Sequence, residues 1–399
     1  MRRETRSAKP GRGAAKPSIK AFVFVPRFVC PGDILLTRVP LNLLDTSTFN
    51  STAIQAATGA PFSHAALCIE PGLLIEAIGT GVCRLALGQT GARSNKNVKL
   101  LRLNLDVPNG PVFAQRAADF GHQYLSRGYS ISGAVGARIS ALRKGRGDLF
   151  CSELVARAYM EAGCPLLTGK SPGELAPGDI LKSDVLRDVT KLALVPVTLD
   201  RPLAFYLDDG SHFERPVHWE VKTKLEILGS EPVRRELEAV GRDPESFFEL
   251  EKVLRASTSP NLDVAVHSEL VRRSFEQEYR QRSASSIGVQ EPADVFKSEF
   301  STRFQPPEEE LKACNAETLR FLILDTESSI VSFQNDIHSR TEDIQKWRSY
   351  RTDANKKTFK YFETMQVELL RISERMLALF KQQEQLLKGE EARRTSPGA

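Results

Sequence analysis

APFSHAALCIEPGLLIEAIGTGV, residues 60–82, decides how this chain folds. Two apolar runs, HAALCIE (64–70) and LLIEAIG (73–79), flank the turn dipeptide Pro71–Gly72, and the pattern predicts a β-hairpin. Two polar groups interrupt it. His64 opens the first run, and Glu76 sits inside the second. A buried carboxylate without a partner is costly, and an imidazolium is an economical partner. A carboxylate that orients a histidine is also part of a nucleophilic catalyst. Blander roles exist for both: a histidine at a strand start often caps or faces water, and a strand glutamate often sits on the exposed face. Geometry adds a condition. A strict two-residue turn pairs Glu76 with Leu67, three residues from His64, and alternation then sends the two side chains to opposite faces. A β-bulge or an irregular start to the first strand is required to bring them together.

A nucleophile for such a pair stands in GDLFCSELVARAYMEAG, residues 147–163. Leu154, Val155, Ala158 and Tyr159 recur at helical spacing, Ser152 and Glu153 suit a first turn, and Gly163 suits a stop. Cys151 therefore falls where a loop becomes a helix. Backbone N–H groups and the positive end of the helix dipole favour a thiolate there. A free cysteine is also a common buried packing residue, so Cys151 acquires meaning only beside a base and an orienting group.

The bulk composition narrows the classes. The chain has 399 residues, enough for two or three domains, and 41% of them are hydrophobic, as a packed core requires. Six cysteines (30, 68, 83, 151, 164 and 314) show no CxxC or CxxH spacing. That argues against a zinc site or a disulfide framework and for a reducing compartment, with no metal or cofactor expected. The net charge is +5, but residues 1–20 alone carry +6, so the rest sums to −1. No specific nucleic-acid partner is expected for that body. The stretch AFVFVPRFVC (21–30) is broken by Pro26 and Arg27, no small-residue cleavage site follows, and no run approaches a membrane span. A soluble, cytoplasmic protein without a transmembrane segment is expected.

The remaining patterns divide the chain. Residues 1–20 read as a basic disordered tail, and 21–200 as one α+β domain. Within that domain, strands are expected at 33–39 and 98–105 and in 191–199, with helices at 47–59 and 111–128. Residues 201–300 form a mixed, charged middle segment with no assigned role. Residues 301–390 are helical, and 391–399 are a second tail. From Phe362 a heptad runs through Met365, Leu369, Ile372, Met376, Leu379, Gln383 and Leu386, with seven of eight positions apolar. Ile330, Phe333, Ile337, Ile344, Trp347 and Ala354 repeat similarly in another register. The stripes suit an antiparallel helical pair within the chain or a homo-oligomer.

Taken together, PGDILL (31–36), FSHAAL (62–67), IEAIGTGV (75–82) and FCSELVARAY (150–159) resemble the permuted NlpC-like papain-fold amidases and peptidases, the YaeF/YiiX-like group. In that branch the order is His, polar residue, Cys, and the chain has His64, Glu76, Cys151 with the family's twelve-residue first interval. SPGELAPGDIL (171–181) resembles the loop and strand that follow the cysteine helix there. The resemblance spans about residues 30–200. It implies an α+β fold: a circularly permuted papain-like (NlpC-type) domain, followed here by a mainly α-helical, partly coiled-coil C-terminal region. It also implies a cysteine hydrolase with Cys151 as nucleophile, His64 as base and Glu76 as orienter, acting on a peptide, isopeptide, γ-D-glutamyl-type amide or ester. Non-permuted relatives often carry Tyr-Asp before the cysteine; this chain has Leu149–Phe150, so substrate contacts from that position do not transfer. Two alternatives accompany this reading. One is a lipid acyltransferase or phospholipase of the lecithin–retinol-acyltransferase-like type, whose members usually have histidine where Glu76 stands. The other is a catalytically idle papain-like recognition module on a coiled-coil scaffold.

Overall fold

The computed structural model describes residues 19–38, 62–87, 90–129, 149–199, 203, 205–210, 217–275, 277–278, 308–354 and 356–395. The helix expected at 47–59, residues 1–18 and residues 396–399 lie outside these. Strand β1 (Ile19–Phe24) begins two residues inside the stretch read as a tail. It is followed by β2 (Ile34–Thr37), β3 (His64–Glu70), β4 (Leu73–Ile78), β5 (Gly81–Ala86), β6 (Thr90–Ala92) and β7 (Val98–Leu103). Helices α1 (Gly110–Gln123) and α2 (Cys151–Glu161) come next, then β8 (Leu186–Asp188), β9 (Leu194–Leu199) and β10 (Phe205–Tyr206).

The strands form two sheets, antiparallel except for the short β10–β6 pair. One has the order β5-β4-β3-β2-β7-β8, the other β10-β6-β1-β9. The larger sheet is apolar on both faces because both are covered. Ile34, Leu36, Leu67, Ile69 and Ile75 meet Ala117 and Ala118 of α1 and Leu154, Val155 and Tyr159 of α2. On the other side Leu35, Ala66, Cys68, Leu74 and Leu100 meet Phe24, Ala92 and Leu194 of the smaller sheet. The result is three stacked layers, helices on sheet on sheet.

PGDILL has a structural job at the seam of these layers. Asp33 is fully buried and accepts two hydrogen bonds of 2.7 Å from the Arg102 guanidinium, one on each oxygen, and a third from the Cys30 amide at 2.8 Å. Burial still pushes the Asp33 carboxyl above its usual range, against the pull of Arg102. Gly32 has φ +83°, and a Cβ on it would stand 2.6–2.8 Å from the Cβ, Cα and O of Ala114 in α1. The hydroxyl of Tyr159 in α2 donates to the Gly32 carbonyl.

The segment 171–181 departs from the expected strand. It forms a 3-10 turn at Pro172–Glu174 and a helical turn at Pro177–Ile180. Local chemistry explains it. Proline opens both turns, Glu174 accepts from the Ser171 amide at 2.8 Å, and Asp179 accepts from the Ala176 amide at 3.2 Å.

Beyond residue 210 the described chain is helical: α3 (Val217–Leu228), α4 (Glu231–Ala239), α5 (Phe247–Ala256), α6 (Pro260–Arg272), a short helix Glu308–Ala313, then α7 (Ala316–Ala354) and α8 (Lys357–Thr395). The last two are antiparallel. Arg348 Nε donates to Glu363 at 2.9 Å near the turn, Phe333 stacks on Phe380 midway, and Lys388 pairs with Glu327 at the far end. Trp347 of α7 and Phe359, Phe362, Met365 and Leu369 of α8 share one core with Phe247, Leu250, Leu262 and Val266 of α5 and α6. In the heptad of α8, Phe362, Met365, Leu369 and Met376 are buried and Ile372 is half-buried, and then the stripe slips: Leu387 is buried, while Leu386 is 40% exposed. A straight helix drifts against a strict seven-residue repeat, and the seam moves by one residue to stay beneath its neighbour.

The hairpin is anchored from α6. The Asp263 carboxylate accepts from the amides of Lys357 and Thr358 at 2.8 and 3.0 Å, capping α8 from a distant part of the chain. Asp263→Ala leaves one buried and one half-buried first-turn amide without this acceptor. We expect a loss of about 2 kcal/mol, read as a lower denaturant midpoint of the helical signal; an unchanged midpoint would show that water replaces the cap at no cost.

Contacts also cross residue 200. Phe321 of α7 packs with Ala21, Val23, Val197 and Tyr206 on the smaller sheet. Val221 of α3 packs with Ile78 and Cys83 of the larger one. Arg127, in the loop after α1, pairs with Glu249 of α5 at 2.7 Å. No helix among the described residues is long and apolar enough to cross a membrane.

Candidate active site

The bulge required by the spacing is present. In the β3–β4 ladder Glu70 faces Leu73, but the register shifts between Cys68 and Glu70, so that Glu76 faces Ala66. Without the shift Glu76 would face Leu67. With it, Glu76 is a diagonal neighbour of His64 on one face of the sheet, within reach of two long side chains. His64 Nε2 lies 2.9 Å from Glu76 Oε2. Both groups are buried, Glu76 fully and His64 to 5% exposure.

Cys151 is the first residue of α2. Its entry is fixed on both sides. Before it, the Leu149 amide donates to Gly128 O at 3.0 Å, and Leu149 bridges Tyr129 in parallel. After it, Ser152 Oγ donates to Leu175 O at 2.6 Å, tying the first turn to the 172–176 segment. The apolar face of α2 then lies against β3 and β4. These constraints carry the thiol to the start of β3, with Sγ 4.0 Å from Ser63 O. The thiol is hydrogen-bonded with His64. Since Nε2 is on Glu76, Nδ1 is the nitrogen left for sulfur.

Burial alone would pull the His64 pKa down. The hydrogen bonds and charges of Cys151 and Glu76 outweigh it and hold the imidazole up, at about 10. Such a histidine carries its proton at neutral pH. The thiol is also covered: Cys151 is 1% exposed. Tyr129 is close by. Burial, and next to it the charge of Cys151, push its phenol well above the ordinary value.

The three residues singled out in the sequence are thus together, from the start of β3, the middle of β4 and the first turn of α2. Tyr129 and the Ser63 carbonyl were not singled out. Neither has a periodic signature, and Tyr129 approaches the thiol only through its pairing with Leu149. Two further groups reach Glu76. Cys83 of β5 is its direct cross-strand partner. His218, near the start of α3, brings a ring nitrogen to the same place. The carboxylate, thiol and imidazole ligand atoms of Glu76, Cys83 and His218 all lie within 4.8 Å of one another.

Set against known protein families, curated proteins and solved structures, the chain matches none of them.

Proposed function

We propose that the protein is a cysteine hydrolase that cleaves an amide or ester through a thioacyl-enzyme, with Cys151 as nucleophile, His64 as acid and base, and Glu76 as orienter. The observation that carries this reading is His64, held between a buried carboxylate at 2.9 Å and the thiol at a helix start. A packing cysteine has no use for that arrangement. The residues also resemble the permuted papain-fold amidases in order and spacing.

The steps follow from the geometry. The Cys151 sulfur attacks the carbonyl carbon, and the carbonyl oxygen takes up negative charge. First-turn amides of α2 would donate to it, since a helix start leaves its N–H groups outside the intrahelical ladder. As the tetrahedral intermediate collapses, the imidazolium of His64 gives its proton to the leaving nitrogen or oxygen. A thioester on Cys151 remains. Water then attacks it, His64 accepts the water's proton, and the acid leaves with the thiolate restored. Glu76 keeps the ring oriented and its charge balanced throughout.

The test is direct. Full-length protein is incubated with peptide, isopeptide and ester probes, quenched in acid, and digested for mass spectrometry. We expect an acyl adduct on the peptide containing Cys151, absent in Cys151→Ala. Turnover that persists in Cys151→Ala would remove the proposal.

A further inference from the structure

We propose that Glu76, Cys83 and His218 form a zinc-binding site that joins the sheet to the helical half of the chain. The site stands on its own geometry and does not depend on the hydrolase reading. Glu76 and Cys83 face each other across the β4–β5 ladder and so lie side by side on one face. Helix α3 lies over that face through Val221, which touches Ile78 and Cys83, and it carries His218 to the pair. All three side chains are buried, so their donor atoms are turned inward rather than solvated.

The donor set selects the ion. One thiol sulfur, one imidazole nitrogen and one carboxylate oxygen suit a borderline-soft divalent metal, and three protein ligands with one open position are a common zinc arrangement. Zinc holds its ligands about 3.3–3.7 Å apart, given bonds of roughly 2.0–2.3 Å. The donor atoms here lie within 4.8 Å of one another, so closing around the ion shortens any separation by about 1.5 Å at most, shared between the two side chains. The Cys83 thiolate and the Glu76 carboxylate bring two negative charges to a divalent cation in a buried place, the second shared with the His64 ring. An outer partner is in position, because His64 Nε2 is bonded to Glu76 Oε2 and fixes that carboxylate. An approach exists as well. A polar cavity of about 110 Å³ adjoins Cys83 and is lined by the carboxylates of Glu220, Asp336 and Asp343 together with Lys224 and Arg340.

Full-length protein stripped with chelator and titrated with zinc should bind one equivalent tightly enough to survive desalting. Cobalt in place of zinc should give a near-ultraviolet thiolate-to-metal band. Cys83→Ser should abolish that band, and His218→Gln should weaken zinc binding at least tenfold, while Cys151→Ser retains both band and affinity. Circular dichroism checks that each variant is folded. Folded wild-type protein that keeps no zinc, or that shows no thiolate band with cobalt, overturns the proposal whatever the variants do. So does a band lost in Cys151→Ser, which would put the metal on the candidate nucleophile. Acyl-adduct formation on Cys151 is scored separately in metal-free protein, so failure of the hydrolase reading leaves the zinc result intact, and the reverse also holds.

Discussion

His64→Ala should reduce turnover by about two to four orders of magnitude, the usual weight of a positioned acid–base group. The substitution removes the group that links Cys151 to Glu76. It also leaves the buried Glu76 carboxylate without its 2.9 Å partner, so folding must be checked alongside. Glu76→Gln keeps the shape of the side chain and loses its charge, and a smaller loss is expected. Residues that act as one unit are not additive. The double variant should therefore fall little below His64→Ala alone. Measured as kcat/KM on whichever acyl probe is turned over, a product of the two single losses would mean that Glu76 acts independently of His64. Full activity in folded His64→Ala would leave Cys151 an ordinary thiol.

The second large effect is structural. Gly32→Ala is expected to cost about 3–5 kcal/mol, combining a left-handed backbone with an overpacked contact. The added methyl would stand 2.7 Å from the Cα of Ala114, and backbone cannot swing aside as a flexible side chain can. The helical layer and the larger sheet meet at this residue, since Tyr159 of α2 bonds the Gly32 carbonyl and the neighbouring Asp33 holds Arg102 of β7. Gly169→Ala is the control. Gly169 has φ +79° with nothing within 4 Å of an added Cβ, so it bears the backbone term alone. A loss of about 1–2 kcal/mol is expected there. Equal denaturant midpoints for the two variants would show that α1 yields to the methyl and that the seam is not tight.

Much of the sheet was legible in the sequence because its signals are local. The 64–70 strand matches β3 end to end, fixed by the turn dipeptide behind it and an apolar run of strand length. The need for a bulge followed from parity alone: His64 and Glu76 cannot share a face through a strict two-residue turn. The bulge's place, between Cys68 and Glu70, did not follow, since no residue there advertises it. The segment 171–181 was expected to end in a strand because it resembles the loop and strand that follow the cysteine helix in the permuted family, but its own prolines and the capping carboxylates Glu174 and Asp179 favour helical turns. In α8 the heptad predicted Leu386 inside, whereas Leu387 is buried, because a pattern carries no record of the drift between helix and repeat. Tyr129 and His218 were out of reach for a different reason. Each gains its neighbours through a tertiary pairing, with Leu149 in one case and with Glu76 and Cys83 in the other.

Strand β1 has a further consequence, set in time rather than space. Its partner along the whole of Ile19–Phe24 is β9, Leu194–Leu199, so Phe24 waits for Leu194 about 170 residues downstream. At roughly 5–20 residues per second, synthesis leaves that interval at about 10–30 s. Throughout it, IKAFVF is an apolar strand with one edge unclaimed, the kind of segment that pairs with other chains. On the ribosome this protein therefore depends on whatever shields nascent chains, from its first strand until its ninth emerges. Nascent chains stalled at residue 150 should be captured by holding chaperones through residues 19–24, and capture should fade in chains stalled well past residue 230.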